Sequence, residues 1–482
     1  MALTTTRAGD EAAARSQRSH LAAPSERLTA LQEEQNRVCH AIGVAKRRGE
    51  DADELIQENK RISQQISALV EQVRDAEGHE HNRGTGDESL VASVESSPAA
   101  FRELRDEWNN LLLASDCDSP FLTWEWLYTW WEVYGGDKEL YLVLVRSGDG
   151  KLVGAAPLML GYRDFRHPKR LHRRTLAFVG TGECLGPNYL GFAAAPGREA
   201  EVVRAVLGRM TRDAELWDVA LLRHVPCEGS STRILADLAA HEQLCVLVGP
   251  GQPCVWGTLP ETFEEYVQTV PSQSRRSYLR NEEKHLREHF GDVRFLTCQT
   301  PQEAEEHVQT LVDLHLSRFA AKGERSAWAD PQTHRLALRL APRLFRKGWF
   351  CTDVLVVEGD PAACLMGFQF RGRYFVLQTG FAPRFTQFHP THVLYARRIR
   401  TLIEQGVKVF DFLGGAYDYK KQYFAQRRYV TTLTVFPDAC SHRFRASWRL
   451  AAECAIPAAR EAVTRLLKGR SRAGPMSEEP QT

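Results

Sequence analysis

The stretch "GVKVFDFLGGAYDYKKQYFAQ", Gly406–Gln426, carries the reading of the fold. Its first half is apolar at nearly every position, bounded by Gly406 and by the Gly414–Gly415 pair, as expected of a buried strand. Asp411 stands inside that strand between Phe410 and Phe412, where a solvated charge does not belong. It is a base or acceptor-binding group, or the partner of a buried arginine. Tyr419 and Lys420 follow within ten residues, on "YKKQYFAQ", which reads as a helix.

Outward from this stretch, strands and helices alternate. Upstream lie the strands "CTDVLVVEG", "AACLMGFQFRG" and "RYFVLQTGF", the loop "APRFTQFHPTH" and the helix "THVLYARRIRTLIEQG". Two helices open this block, "EEYVQTV" and "RRSYLRNEEKHLREHF", and "RYVTTLTVFP" closes it as a last strand. An earlier block opens on the aromatic run "FLTWEWLYTWWEVYGG", in which Phe121, Trp124, Tyr128 and Trp131 recur at helical spacing, the signature of a core-facing stripe. The hairpin "ELYLVLVRSGDGKLVGAAPLML", turning at Ser147–Gly150, and the strand "LWDVALLRHV" follow. The two blocks share an order of elements, which suggests two copies of one mixed α/β unit.

These segments resemble two-lobed acyltransferases of the GNAT superfamily, of the CelD and Fem type. The resemblance rests on the aromatic opening, Gly154-Ala155-Ala156-Pro157-Leu158, Gln273-Ser274-Arg275-Arg276, "FDFLGG" and Tyr419-Lys420, and covers roughly residues 99 to 438. It implies tandem lobes of mixed sheets flanked by helices, in which two parallel strands splay and an acyl donor docks on their unpaired backbone groups. Here those strands are "YFVLQTGF" and "VKVFDFLG", with Gln378 and Thr379 lining the donor site. The following helix N-terminus receives donor phosphates, with Arg384, His389 and Thr391 nearby. The loop lacks the R-x-x-G-x-G/A of ordinary acetyl-CoA users and has His389-Pro390-Thr391 where many relatives have Ser-Pro-Gly, which favours an RNA-linked donor. The resemblance gives Lys420 the task of stabilising transition-state charge or the leaving oxygen, with Asp411 and Tyr419 as further catalytic candidates. No cofactor beyond the donor co-substrate and no metal site is expected. His79 and His81 lack companion ligands.

The front of the chain differs in kind. Leu28, Leu31, Gln35, Val38, Ile42 and Ala45 step by 3 and 4, as do Leu55, Asn59, Ile62, Ile66, Leu69 and Val73. Folding back at Glu50 pairs Val38 with Ile62 and Ala45 with Leu55, an antiparallel α-helical coiled-coil hairpin. Such hairpins commonly serve dimerisation. "NRVCHAIGVAKRRGEDADELIQE", however, resembles the tRNA-binding arm of seryl-tRNA synthetases, with Cys39 where serine is usual, while the synthetase's catalytic motifs are absent. The resemblance implies phosphate contacts by Arg37, Lys46, Arg47, Arg48, Lys60 and Arg61. Arg276, Arg280 and Lys284 form a basic ridge suited to an acceptor stem, or a wet surface paired with Glu283 and Glu288.

The expected organisation is a mobile start (1–24), the hairpin (25–77), a linker (78–98), a first lobe (99–254), a second lobe with the active site (255–438), basic helices (439–470) and a tail (471–482). The 482 residues carry 62 Lys+Arg against 61 Asp+Glu, so nucleic acid must be held by local patches rather than by overall charge. Eleven cysteines without a C-x-x-C pair, no secretory leader and no membrane-length apolar run point to a cytoplasmic protein with reduced thiols. No nucleophile elbow, Walker loop, dinucleotide fingerprint or H-E-x-x-H is present. The expected activity is transfer of an aminoacyl group, seryl first, from tRNA to an amine, hydroxylamine or hydroxyl on a small-molecule or peptide acceptor. The alternatives are an acyl-CoA-dependent N- or O-acetyltransferase that dimerises through the hairpin, and a non-catalytic tRNA- or partner-binding protein.

Overall fold

A computed structural model describes residues 90–161, 174–182, 185–227, 244–270, 272–415 and 418–437, together with helical positions 34, 38, 54, 55, 57, 58, 61, 62 and 65. The chain divides into two units, one of Met1–Gly84, Gln243–Cys245 and Asp438–Thr482, the other of Thr85–Glu242 and Val246–Pro437.

In the first unit Val38, a seam position, is half-buried, as are Glu34 and Glu58 off the seam. Ile62 is buried and Leu55 half-buried, whereas Glu54, Gln57, Arg61 and Gln65 on the same helix are exposed. The basic C-terminal segment with Arg443, Arg445, Arg449, Lys468 and Arg470 lies outside the described residues.

The second unit begins with β1 (Val91–Glu95), α1 (Pro98–Glu103), α2 (Arg105–Ala114), α3 (Trp124–Tyr134), β2 (Glu139–Arg146), β3 (Leu152–Leu160), β4 (Thr175–Phe178), β5 (Ala193–Ala194), α4 (Glu199–Arg212) and β6 (Val219–Pro226). β7 (Cys245–Val248) and β8 (Gln252–Thr258) follow. The second lobe comprises α5 (Phe263–Thr269), α6 (Gln273–His289), β9 (Val293–Thr297), α7 (Pro301–Ala320), α8 (Pro331–Phe345), β10 (Phe350–Val357), β11 (Asp360–Phe370), β12 (Arg373–Phe381), α9 (Pro390–Glu404), β13 (Val409–Gly414) and β14 (Gln426–Phe436). Two local expectations change. Val91–Glu95, inside the expected linker, is an edge strand on β2. The expected helix "YKKQYFAQ" is a single 3-10 turn, Lys420–Gln422, and its last residue, Gln426, already belongs to β14.

One sheet runs through both lobes, in the order β1-β2-β3-β4-β6-β14-β8-β13-β12-β11-β10-β9. Each lobe has an antiparallel run followed by one parallel pair, β4 with β6 and β12 with β13, joined across α4 and α9 respectively. The strands at the centre are exchanged: β8, which follows the first lobe, pairs with β13, and β14, the last strand of the second, pairs with β6. Helix α3 explains its aromatic content by this union. Trp126 sits edge-on to Phe368 of β11, 5.8 Å between centroids, and Arg343 of α8 donates to the Thr129 hydroxyl at 2.8 Å. A helix covered on both sides is apolar nearly all round. The described helices include none long and apolar enough to cross a membrane.

Candidate active site

β12 and β13 share three rungs, Arg373 with Val409, Tyr374 with Phe410 and Phe375 with Asp411. Both strands continue, to Phe381 and Gly414, without pairing to each other again. The divergence has a local cause on each side. β12 carries an extra residue against β11, since Met366 faces Gln378 while Gly367 faces Val376, and such a bulge bends the strand that bears it. β13 turns at Leu413, whose φ of 57° lies in the left-handed region, and rejoins β8 only at Gly414 opposite Cys254.

Lys420 closes the open end of β13. Its Nζ donates to the carbonyls of Phe412 at 2.8 Å and Gly414 at 2.7 Å, satisfying two acceptors in the last residues of the strand. The side chain is buried, and burial pulls its pKa down to about 8, with Cys254 and Asp411 pulling back upward. Tyr419 beside it stacks on Tyr395 of α9, 6.3 Å between centroids and 14° between planes.

Asp411 has no exposed surface. Its Oδ2 lies 2.9 Å from Arg428 Nη2, its Oδ1 accepts from the Leu413 N–H at 2.7 Å, and the Tyr189 hydroxyl reaches both oxygens at 3.1 Å. Arg428 lies flat on the Tyr189 ring, its guanidinium carbon 3.3 Å from the centroid, and also approaches Asp118 at 3.4 Å. Burial drives the carboxyl pKa upward, while Arg428, the Leu413 N–H and the Tyr189 hydroxyl oppose it. Burial works against the Arg428 charge, but Asp411 outweighs it and holds the guanidinium above its ordinary value; the 2.9 Å contact between them is an ion pair. Tyr189 comes from the first lobe. Its neighbour Asn188 lies against the end of β13, where a Cβ at Gly414 would meet Asn188 Oδ1 at 3.0 Å.

The donor-side residues divide. Thr379 faces α9, its hydroxyl 3.5 Å from the Tyr395 hydroxyl, and Gln378 turns its carbonyl oxygen back onto the Thr379 N–H at 3.1 Å. His389 caps α9 with φ 47°, and Thr391 lies in the first turn of that helix. Arg384 points elsewhere, pairing with Asp360 at the start of β11. Tyr395 thus links Thr379 to Tyr419, the His392 ring lies against both His389 and Tyr419, and Arg384 stands apart. Three residues that sequence reasoning passed over stand among them. His392 in the first turn of α9 meets Arg275 of α6 through its Nδ1, 3.2 Å from Nη1, and the Tyr423 hydroxyl bonds the same nitrogen. All three sit within quoted motifs, but nothing in the spacing says that they converge. Tyr189 and Arg428 have no sequence signal.

The ridge on α6 is paired. Arg276 donates to the Val270 carbonyl at 2.6 Å, Arg280 meets Glu264 of α5, and Lys284 and Arg287 meet Glu288 and Glu283 at 3.7 and 3.0 Å. Between α6 and α9 lies a groove of about 490 Å³, bounded by Arg280, Lys284, Arg397 and Arg400 and by Glu282, which is 6% exposed and whose Oε2 has no partner among the described residues. In the hairpin, Arg61 is exposed and 3.7 Å from Glu58. Arg37, Lys46, Arg47, Arg48 and Lys60 lie outside the described residues.

Residues 273–421 match the acetyltransferase (GNAT) domain family, and residues 17–83 match the seryl-tRNA synthetase N-terminal domain family. No curated protein matches the chain. Among solved structures, FemX is 10% identical, covering 69% of this chain and 94% of its own, with a TM-score of 0.49. A conserved protein of unknown function from Bacteroides thetaiotaomicron is 14% identical over 72% of this chain and 100% of its own, with a TM-score of 0.45. A tandem GNAT protein from the clavulanic acid biosynthesis pathway is 14% identical over 72% and 98%, with a TM-score of 0.41.

Proposed function

We propose that this GNAT-type acyltransferase takes its acyl group from a charged tRNA, seryl-tRNA first, and delivers it to an amine, hydroxylamine or hydroxyl acceptor. One observation carries the reading: a single chain joins a GNAT domain at 273–421 to a seryl-tRNA synthetase N-terminal domain at 17–83. The hairpin grips the tRNA body, and the esterified 3′ end enters the splay between β12 and β13.

The acceptor nitrogen or oxygen attacks the ester carbonyl and forms the new C–N or C–O bond. The tetrahedral intermediate collapses with cleavage of the bond to the ribose oxygen, and the proton lost by the acceptor ends on that ribose hydroxyl. Lys420 places a positive charge at the end of β13, where the developing oxyanion and the leaving oxygen need it. Asp411 is committed to Arg428 and Tyr189, so we assign it the positioning of β13 rather than proton abstraction. Tyr419 and Tyr395 form one wall of the cleft. The α6 ridge, although paired, presents its cations beside α9 and can exchange carboxylate partners for phosphates.

The test mixes the full-length protein with labelled seryl-tRNA and with acetyl-CoA. The reading expects tRNA binding that weakens steeply with salt and is lost when residues 25–77 are deleted. Binding of acetyl-CoA that is indifferent to that deletion supports the acyl-CoA alternative, which the acetyltransferase domain match favours.

A further inference from the structure

His392 occupies a place that the chemistry of its neighbours defines closely. The Arg275 guanidinium carries only donors, so the nitrogen it approaches at 3.2 Å, Nδ1, must offer its lone pair. The Tyr423 hydroxyl shares that lone pair. A neutral imidazole whose Nδ1 accepts carries its proton on Nε2. Among the described residues nothing accepts from Nε2, although the ring is held on several sides. It stacks on Tyr423 at 5.7 Å and 20°, and lies edge-on to Tyr278, Tyr395 and Tyr419 at 6.3–6.4 Å. A histidine held by its neighbours in one tautomer, with one N–H unused, beside the Tyr395 and Tyr419 wall of the proposed donor cleft, is arranged to donate.

We infer that His392 is a neutral hydrogen-bond donor of the acyl-donor site, presenting its Nε2–H to an oxygen of the acyl donor, with Arg275 and Tyr423 setting its tautomer. This rests on the acyltransferase reading but not on the identity of the donor, since an aminoacyl ester and an acyl thioester both offer a carbonyl oxygen. The charged and titratable groups that face the ring are Arg275 and Tyr278 of α6, His389 and Tyr395 of α9, and Tyr419 and Tyr423 beyond β13, with Glu282 behind Tyr423. Burial, with Arg275 and His389 adding to it, pushes the imidazole down to about 3, so it is neutral near pH 7. A neutral imidazole donates without an ionisation step during turnover, but it is too weak a base to take the acceptor's proton.

The experiment has two arms. In the first, the full-length protein with 15N-labelled histidine is titrated by NMR. His392 is expected as the Nε2–H tautomer with no titration above about pH 5, and Arg275→Met is expected to disturb both. A His392 that titrates between about pH 5.5 and 8, or that carries its proton on Nδ1, overturns the inference. In the second arm, hydroxylamine serves as acceptor with seryl-tRNA or acetyl-CoA as donor, whichever the wild type turns over. His392→Asn keeps an acceptor for Arg275 but has no group at Nε2, and should lose about 100-fold in kcat/KM. His392→Gln restores an N–H near Nε2 and should recover part of the loss. An Asn variant within about threefold of wild type overturns the inference. Turnover of neither donor refutes the preceding reading alone, because the tautomer arm needs no donor.

Discussion

Asp411 and Arg428 form a buried ion pair at the end of the β12–β13 ladder, with 2.9 Å between Oδ2 and Nη2 and no exposed surface on the carboxylate. Arg428 lies on β14 and Asp411 on β13, two strands separated by β8, so the pair bridges over one strand of the sheet. Removing one partner strands a charge in a dry site. Asp411→Ala should cost about 3 kcal/mol or more, read by denaturant unfolding. The Asp411→Ala, Arg428→Met double variant should be less destabilised than the sum of the two singles, because the second change removes the stranded charge.

Gly257 on β8 pairs with Phe410 and has no room for a methyl group: a Cβ there would collide with Phe424 Cδ1 and Cγ. The ring cannot retreat, since it is packed against Tyr266 and Phe410, each 5.5 Å away. Gly257→Ala should cost about 1–3 kcal/mol. It should also lower turnover, because Phe424 follows Tyr423 and the Lys420 turn. Thermal melting and transfer rates measured on one preparation check both.

Lys420, held down to about 8 against an ordinary value of 10.5, makes two pH predictions. Between those values the unfolded chain holds a proton that the folded chain does not. Stability from this group therefore rises as pH increases across that window and is lowest below it. Activity goes the other way. If the ammonium stabilises the transition state, kcat/KM falls above about pH 8. Lys420→Arg, which keeps its charge, should move that limb to higher pH while lowering the rate at neutral pH.

Glu282 shows the opposite linkage. Burial raises its carboxyl well above the ordinary range, against the pull of Arg275 and Arg400. The folded chain then retains a proton that the unfolded chain gives up, so this group's contribution falls as pH rises above about 4.5. Glu282→Gln removes the ionisation. Its melting temperature should match wild type near about pH 4 and exceed it near about pH 7.5.

The α6 ridge separates a phosphate surface from a paired one. If it receives the acceptor stem, Arg280→Ala with Lys284→Ala should weaken seryl-tRNA binding and reduce the slope of log K against log salt by about 1–2. An unchanged slope assigns both cations to Glu264 and Glu288.

Much of the second lobe was legible along the chain. The strands at Phe350–Val357, Asp360–Phe370 and Arg373–Phe381 fall on the quoted apolar runs, because a strand buried on both faces has to be apolar throughout. The hairpin at Ser147–Gly150 is equally local, with Gly150 at φ 84°. β1 is not legible in the sequence, because five residues on a sheet edge, with Val91 exposed, carry little hydrophobic signal. The residues of the Lys420 turn favour a helix, whereas β14 has to begin at Gln426 to pair with β8.

By itself, then, the sequence determined what lies within reach of its own neighbours: most element types, a heptad spacing near the front, and the motifs within the stretch that matches the GNAT domain family. The tertiary structure decided the rest: that β8 and β14 change places, that Asp411 finds Arg428 and Tyr189, that Arg275 and Tyr423 close on one nitrogen of His392, and that Lys420 bonds the carbonyls β13 exposes. Periodicity and spacing are properties of a few consecutive residues, set by backbone geometry. Partners separated by 222 residues, as Tyr189 and Asp411 are, meet only where the packing of the whole sheet brings their strands together.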